Sequence, residues 1–264
     1  MQQNYTPKNK TMSKIVFITG ASSGIGAACA RKFAQGGYTL LLSARTKDKL
    51  QALKTELETT YGTDVLLLPF DVRDRKAAAE AITTLPAQYQ AIDILVNNAG
   101  LALGMDKEYE GTEENYDTMI DTNITALLMI TRLVVPGMIA RGKGHIINIG
   151  SVAGDAAYPG GSVYCATKAA VKVLSDGLRM DLVDTPLRVT NVKPGLVETN
   201  FSITRFGGDK ERADKVYQGI KPLTGDDIAD VVYYAASAPE HVQIAEVLVL
   251  ATHQASGSLV YRKG

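Results

Sequence analysis

The sequence predicts an α/β protein: a single doubly wound domain with a seven-stranded parallel sheet and helices on both faces. Three observations lead to this fold class. Short apolar runs alternate with longer amphipathic segments along the chain. The short runs are apolar throughout, as expected for strands that are covered on both faces. Finally, the 264 residues contain neither an internal repeat nor a Pro-, Gly- or Ser-rich linker, so one domain accounts for the chain.

Strands are predicted where leucine and β-branched residues form short runs. In chain order these runs are 14–19, 38–44, 64–70, 93–98, 144–150, 187–193 and 246–251. Helices are predicted at the amphipathic segments between them, which are 24–35, 46–60, 74–84, about 113–141, about 162–183 and 224–236. The segment 195–223 fits neither pattern well, with only a weak helical pattern at 209–218. Because long irregular segments in such domains often cover a binding site, we predict that 195–223 is a substrate lid.

The polar residues 1–12 are predicted to be a disordered leader that precedes a single catalytic domain at 13–264. The first apolar run ends in glycine-rich sequence and not in a cleavage site, so we expect no signal peptide. The most apolar stretch, 126–140, is interrupted by Arg132 and Pro136 and is expected to be too short to span a membrane. We therefore expect no membrane partner and a cytoplasmic protein.

Composition disfavours two classes of function. Lys and Arg number 28, as do Asp and Glu, and a net charge of zero is unusual for a nucleic-acid-binding protein. The two cysteines, Cys29 and Cys165, belong to no CxxC motif, and His145, His241 and His253 are dispersed. We therefore expect two free thiols in a reducing compartment, and we predict no nucleic-acid partner and no metal.

A glycine-rich turn follows the first strand directly, in the sequence TGASSGIG at 19–26, and a helix begins near Ile25. Glycines let the backbone turn tightly around a pyrophosphate, and the dipole at the helix N-terminus favours its negative charge. The spacing G-x3-G-x-G differs from the general dinucleotide fingerprint and from a Walker A loop, and the alternative is a merely flexible turn. The strand before it and the helix after it favour a Rossmann-type dinucleotide site. Its predicted contacts are Gly20, Ser22, Ser23, Gly24, Ile25 and Gly26.

The end of the second strand indicates which dinucleotide binds. An acidic residue there would bind the ribose 2′-hydroxyl of NAD, whereas an arginine suits the 2′-phosphate of NADP. Arg45 stands at this position, and no acidic residue follows until Asp48. We therefore predict NADP(H), with Arg45 on the 2′-phosphate and Ser22 or Ser43 as helpers. The alternative is that Arg45 is a solvated charge that opens a helix.

Four polar residues form a candidate catalytic group. Tyr164 and Lys168 share one face of a predicted helix, Ser151 ends the fifth strand, and Asn123 precedes that strand. Reduction of a carbonyl by hydride requires a proton donor for the developing alkoxide. An ammonium at ~4 Å is worth about 4 kcal/mol, enough to bring the pKa of a tyrosine from about 10 to near neutrality. We expect Lys168 to do so for Tyr164, and Ser151 to hold the substrate oxygen.

With these motifs the chain resembles the short-chain dehydrogenase/reductase family. Further matching features are Asp71-Val72 after the third strand, Asn97-Asn98-Ala99-Gly100 after the fourth, and Pro194-Gly195 after the sixth. The resemblance implies that Asp71 contacts the adenine amino group and that Asn98 borders the cofactor. It also implies that Lys168 binds the nicotinamide ribose, that Asn123 anchors a water for a proton relay, and that Thr199 holds the carboxamide. The remaining cofactor contacts predicted are Val72, Tyr164, Pro194, Gly195 and Val197.

Within the family, segments 195–219 and 221–232 are similar to the branch of NADP-dependent 3-hydroxy acid dehydrogenases, such as serine 3-dehydrogenase and L-allo-threonine dehydrogenase. The resemblance implies substrates such as serine, allo-threonine or 3-hydroxypropionate and malonic semialdehyde. A cation would orient the carboxylate of such a substrate beside Ser151 and Tyr164, and Arg205 is the candidate. The alternative is that Arg205 is a surface side chain on a mobile loop.

Two other functions remain open. One is a broader NADPH-dependent carbonyl reductase that acts on 3-oxoacyl, sugar or aromatic ketones. The other is an NADP(H)-binding sensor without turnover, against which the complete catalytic group argues. The resemblance also implies a homotetramer that pairs helices 113–141 and 162–183, whereas the alternative is that their apolar residues all face the sheet.

Overall fold

The structure, a computed structural model, describes residues 13–263, and the predicted leader at 1–12 lies outside them. Seven strands form one sheet in the order β3-β2-β1-β4-β5-β6-β7, and every neighbouring pair is parallel. The strands are β1 (Ile15–Thr19), β2 (Thr39–Ala44), β3 (Val65–Pro69), β4 (Ile92–Asn97), β5 (His145–Ile149), β6 (Arg188–Pro194) and β7 (Glu246–Val249). The predicted fold class is confirmed, and each strand lies within about one or two residues of its predicted position.

Helices connect the strands. They are α1 (Gly24–Gln35), α2 (Lys47–Tyr61), α3 (Arg75–Thr83), α4 (Glu113–Ile120), α5 (Ala126–Arg141), α6 (Ser162–Asp181), α7 (Asn200–Arg205), α8 (Lys210–Lys215) and α9 (Gly225–Ser237). A π-helical turn, Asp121–Thr125, joins α4 to α5 within the predicted helix at 113–141. The 195–223 segment holds α8, where the weak helical pattern lies, and also the six-residue α7, which the sequence pattern did not predict.

Two hydrophobic cores cover the two faces of the sheet. Side chains alternate along each strand, so Val16 and Ile18 enter one core and Phe17 enters the other. The first core contains buried residues of α1, α2 and α9, and the second contains buried residues of α3 and α5. A fully buried side chain such as that of Phe17 contributes about 1.5–3 kcal/mol, so these cores hold the sheet rigid beneath its loops.

The strand order places a crevice at the carboxyl ends of β1 and β4. From β1 the chain proceeds to β2 and β3 on one side, and from β4 it proceeds to β5, β6 and β7 on the other. The loops that follow β1 and β4 therefore diverge, which leaves room for a ligand between them. The candidate site is built at this point.

Among residues 13–263, one helix is long and apolar enough to cross a membrane by length and composition alone. It is the continuous stretch Glu113–Arg141, so the argument that 126–140 is too short does not hold. The core helix of a soluble protein can have the same length and composition. Ile130, Val134 and Met138 on this stretch are buried in the second core, against the sheet, as they are in such a helix.

Candidate active site

A cavity of about 580 Å³ opens at the carboxyl end of the sheet, between the strand ends and the 195–223 segment. It brings together most of the predicted site residues, from every part of the domain. Those that line it are Gly20, Ser22, Ser23, Gly24, Ile25, Arg45, Asp71, Val72, Asn98, Ser151, Tyr164, Lys168, Pro194, Gly195, Val197, Thr199 and Arg205. Three predicted residues, Gly26, Ser43 and Asn123, are not part of this lining.

The glycine loop presents the N-terminus of α1 to the cavity. Gly20 and Gly24 have φ values of +65° and +53°, in the left-handed region that favours glycine. Ser23 is the N-cap of α1, and within the described chain its side chain makes no capping hydrogen bond. The first amides of the helix are therefore free to face an anion, as a pyrophosphate site requires.

Gly26 and Asn98 support the loop from behind. An added Cβ at Gly26 would collide with the Asn98 side chain and with the Gly20 carbonyl oxygen, so Gly26 permits close packing and does not face the cavity. The Asn98 Nδ2 donates to the carbonyl oxygens of Thr19 at 2.9 Å and Gly20 at 3.1 Å. Asn98 thus ties the loop after β4 to the loop after β1, besides bordering the cavity.

Two arginines stand at the end of the cavity near β2 and β3. Arg45 follows β2 and is exposed. Arg73, which sequence reasoning missed, also lines the cavity, and its Nη2 donates to Asp71 Oδ2 at 2.8 Å. This hydrogen bond and the charges of both arginines keep the pKa of Asp71 below its usual value. The only sequence cue to Arg73 is its place just after Asp71-Val72 at the end of β3.

The suggestion that Ser43 helps to bind a phosphate is wrong. Ser43 lies within β2, and its side chain is fully buried because β1 and β3 flank it and helices cover the sheet. Its hydroxyl therefore cannot reach a ligand in the cavity, whereas Ser22 lines it.

Tyr164 and Lys168 lie one turn apart on α6 and face the cavity, with only 9% and 6% of their surfaces exposed. The Lys168 Nζ donates to the Ile149 carbonyl oxygen at 2.8 Å and lies 6.0 Å from the centre of the Tyr164 ring. Ser151 follows β5, and its Oγ accepts from the Ala153 amide at 3.1 Å, which holds the hydroxyl in place. Three of the four predicted residues, Ser151, Tyr164 and Lys168, therefore come together at the cavity.

The electrostatics of Tyr164 differ from the expectation. Burial raises the pKa of Tyr164 above its ordinary value, and hydrogen bonding to Ser151 and the charge of Arg205 oppose this only in part. Lys168 does not bring this pKa to near neutrality, because its ammonium is directed to the Ile149 carbonyl and burial lowers its own pKa to about 8. Tyr164 is therefore a neutral phenol at pH 7.

Asn123 lies behind the catalytic group, in the π-helical turn. Its Oδ1 accepts from the Leu101 amide at 2.9 Å, and its Nδ2 donates to the Leu101 carbonyl oxygen at 2.8 Å and to Thr167 Oγ1 at 3.0 Å. The Thr167 hydroxyl in turn donates to the Tyr164 carbonyl oxygen at 2.7 Å. The side chain thus ties the loop after β4 to α6, and both its Oδ1 and its Nδ2 take part in these hydrogen bonds.

The 195–223 segment closes the cavity opposite the sheet. Thr199 caps α7 by accepting from the Phe201 amide at 3.2 Å, and its Cβ would lie 3.2 Å from a Cβ added at Gly24. The Phe201 ring packs against Tyr164 with 5.6 Å between ring centres. Arg205, at the end of α7, places its Cζ 5.8 Å from the centre of the Tyr164 ring. The segment therefore contacts both the glycine loop and Tyr164.

Several further residues line the cavity without any sequence motif to indicate them. They are Arg73, Tyr158, Tyr217, Gln254 and Arg262. Arg262 belongs to the C-terminal segment and donates from Nη2 to the Val216 carbonyl oxygen at 2.9 Å, which links that segment to 195–223. Only the folded chain brings these residues to the cavity.

Within the described residues, no three His, Cys, Asp or Glu side chains come together as a metal site. Cys29 and Cys165 are free and buried.

Comparisons with known proteins agree with this geometry. The family model described as short chain dehydrogenase matches residues 14–208. A protein of Schizosaccharomyces pombe named NADP-dependent 3-hydroxy acid dehydrogenase is 45% identical over 251 residues, 95% of this chain and 97% of the relative. A Salmonella typhi protein named NADP-dependent 3-hydroxy acid dehydrogenase YdfG is 47% identical over 246 residues, 93% of this chain and 98% of the relative.

A solved structure of a dehydrogenase also has the same fold as this chain. The closed form of serine dehydrogenase complexed with NADP+ superposes with a TM-score of 0.88 at 44% identity, over 95% of this chain and 100% of that one. The similarity therefore extends over nearly the whole chain.

Proposed function

The chain belongs to the short-chain dehydrogenase family and is an NADP-dependent oxidoreductase, and we propose that it oxidises small 3-hydroxy acids reversibly at the 3-hydroxyl group. One observation carries the choice of substrate. The Arg205 guanidinium faces the cavity, and its Cζ lies 5.8 Å from the centre of the Tyr164 ring. When the hydroxyl of a short hydroxy acid meets the Tyr164 phenol, its carboxylate would lie within reach of this guanidinium. The names of the relatives at 45% and 47% identity support the same substrate class.

The residues of the cavity fit NADP. The first turn of α1 and its uncapped amides would receive the pyrophosphate, with Gly24 in the left-handed conformation and Thr199 packed against it. Arg45 and Arg73 would flank the adenosine 2′-phosphate, and guanidinium groups bind phosphates by paired hydrogen bonds. Because Arg73 holds Asp71, this carboxylate would shape the adenine end of the site together with the arginine.

The catalytic residues would move the proton that accompanies hydride transfer. NADP(H), when bound, supplies the chemistry of hydride transfer. Tyr164 donates its Oη proton to the substrate oxygen in the reducing direction, because burial keeps the phenol neutral. The Ser151 hydroxyl, held by the Ala153 amide, would orient the same substrate oxygen. In the oxidising direction Tyr164 must accept a proton, and the charge of Arg205 and the Ser151 hydrogen bond favour its ionised form.

A substrate panel tests the proposal. NADP+ reduction is followed at 340 nm with L-serine, L-allo-threonine and 3-hydroxypropionate, beside neutral secondary alcohols of similar size. We expect turnover of the acids at a kcat/KM at least tenfold above that of the alcohols, since the guanidinium interacts only with the acids. Turnover of neutral alcohols alone would favour the broader carbonyl reductase, for which the apolar lining by Leu101, Met105 and Phe201 is the supporting observation. Cofactor binding without turnover would favour the sensor.

The Arg45→Asp variant tests the cofactor assignment. Loss of charge-assisted hydrogen bonds worth about 1.5–3 kcal/mol should raise KM for NADPH roughly 10- to 150-fold. Lys47→Asp is the matched control, because it makes the same change of charge on an exposed residue of α2 that does not line the cavity. Equal KM values for the two variants would contradict the role of Arg45.

We also propose, on the family resemblance, that four copies of the chain associate. The apolar side chains of Val173 and Met180 on α6 are 67% and 72% exposed, which supports a contact along this helix. A monomer mass by light scattering at micromolar concentration would contradict the tetramer. The cytoplasmic location stays a prediction from the sequence.

A further inference from the structure

Arg205, the last residue of α7, is held at three points. Its carbonyl oxygen accepts from the Gly104 amide at 2.9 Å, and its Nε donates to the Gly104 carbonyl oxygen at 3.1 Å. Its Nη1 donates to the Tyr158 hydroxyl at 2.9 Å. In the part of the chain that the structure describes, Nη2 makes no hydrogen bond to protein, so this edge of the fork remains for a ligand.

Tyr158 provides a fixed support for the guanidinium. It lies in the loop between β5 and α6, where its carbonyl oxygen accepts from the Gly161 amide at 3.0 Å and its ring lies against Gly161. The Arg205 Cζ lies 5.5 Å from the centre of the Tyr158 ring, which is within range of a cation–π contact. The loop that supports Arg205 therefore leads directly into the helix that carries Tyr164.

An arginine on a flexible segment loses much rotamer freedom when it binds a carboxylate, and prior fixation reduces this loss. We propose that Tyr158 is a positioning residue that holds the Arg205 guanidinium beside Tyr164, so that the enzyme selects substrates that carry a carboxylate on the carbon adjacent to the reacting carbon. The proposal rests on the proposed function. Under this proposal, substrate selection depends on Tyr158 in the loop between β5 and α6 as well as on Arg205 in the 195–223 segment.

The Tyr158→Phe variant tests the proposal, since it keeps the ring and removes the hydroxyl. We expect kcat/KM for the preferred hydroxy acid to fall about 5- to 10-fold, mainly through KM, as for the loss of one hydrogen bond of ordinary strength. KM for NADP+ and kcat/KM for a neutral secondary alcohol should stay within twofold of the wild type. In an Arg205→Met background, Tyr158→Phe should not lower kcat/KM for the acid any further, because the guanidinium that Tyr158 positions has been removed.

Tyr217→Phe is the matched control. Its hydroxyl also lies at the cavity, where it pairs with the Ser202 hydroxyl at 2.7 Å and donates to the Val197 carbonyl oxygen at 3.0 Å, and neither of these partners is Arg205. We expect it to leave the ratio of acid to neutral kcat/KM unchanged. An equal loss on acid and alcohol in Tyr158→Phe, or an unchanged ratio, would overturn the positioning role. If the wild type itself shows no preference for acids, the proposed function fails before Tyr158 is tested.

Discussion

The Tyr164→Phe variant is expected to lose about 10²- to 10⁴-fold in kcat, the range that a general acid typically contributes. The phenylalanine ring fits the same place, because Tyr164 is nearly buried and packs against Phe201 through its ring. Only the hydroxyl beside Ser151 is lost, and with it the proton for the developing alkoxide. The measurement is steady-state oxidation of NADPH with the best 3-oxo acid or semialdehyde from the substrate panel.

Two controls separate catalysis from folding and binding. A fluorescence titration should give the same Kd for NADPH as the wild type, because the pyrophosphate and 2′-phosphate contacts lie elsewhere in the cavity. Tyr89→Phe removes a hydroxyl that donates to Asp64 and does not line the cavity, so its kcat should match the wild type. Retention of more than a tenth of the kcat by Tyr164→Phe would refute the proposed proton donor.

The Arg205→Met variant is expected to lower kcat/KM for hydroxy acids roughly 30- to 150-fold, which corresponds to about 2–3 kcal/mol for charge-assisted hydrogen bonding to a carboxylate. KM for NADP+ should not change. Lys210→Met removes another cation of the 195–223 segment that does not line the cavity, and it serves as the control. Equal kinetics for Arg205→Met and the wild type would exclude a role in carboxylate recognition.

The same variant also shifts the pH dependence. The positive charge of Arg205 lowers the pKa of Tyr164, so its removal should raise that pKa further. Oxidation requires the ionised phenol as base, and its rise with pH should therefore move to higher pH in Arg205→Met. A neutral secondary alcohol is the substrate for this profile, because it separates the effect on Tyr164 from the loss of carboxylate binding. Tyr158, Cys165, Lys168 and Ser151 also face Tyr164 and are unchanged.

The sheet could be predicted strand by strand because buried parallel strands leave a strong pattern in the sequence. The strands β1 and β2 are covered on both faces, and every one of their residues is buried and apolar or small. The six residues of α7 were missed for the opposite reason. They are too few to show helical periodicity, and the Thr199 cap together with packing against Tyr164 stabilises the helix.

The candidate site was predictable where it depends on strand ends. Residues that follow parallel strands meet at one edge of the sheet. The sequence therefore places Gly20, Asn98, Ser151 and Gly195 at one site, and all four line the cavity. The position of Ser43 was misjudged, because exposure changes abruptly at the end of β2. Ser43 and Ala44 are buried, whereas Arg45, the next residue, is exposed. The expectation that Lys168 lowers the pKa of Tyr164 assumed a separation of ~4 Å, whereas the Lys168 Nζ lies 6.0 Å from the centre of the Tyr164 ring and burial raises the pKa of Tyr164.

The order of strands and helices, the phosphate loop and the Tyr164 and Lys168 pair were determined by the sequence alone, since each depends on residues that are close along the chain. Which charges act on Tyr164 was decided only by the tertiary structure. Arg205 reaches that ring from α7, Tyr158 supports Arg205 from another loop, and Arg73 joins Arg45 from the next strand. Electrostatic and hydrogen-bond energies fall steeply with distance and depend on burial, and neither is encoded in the spacing of residues along one segment.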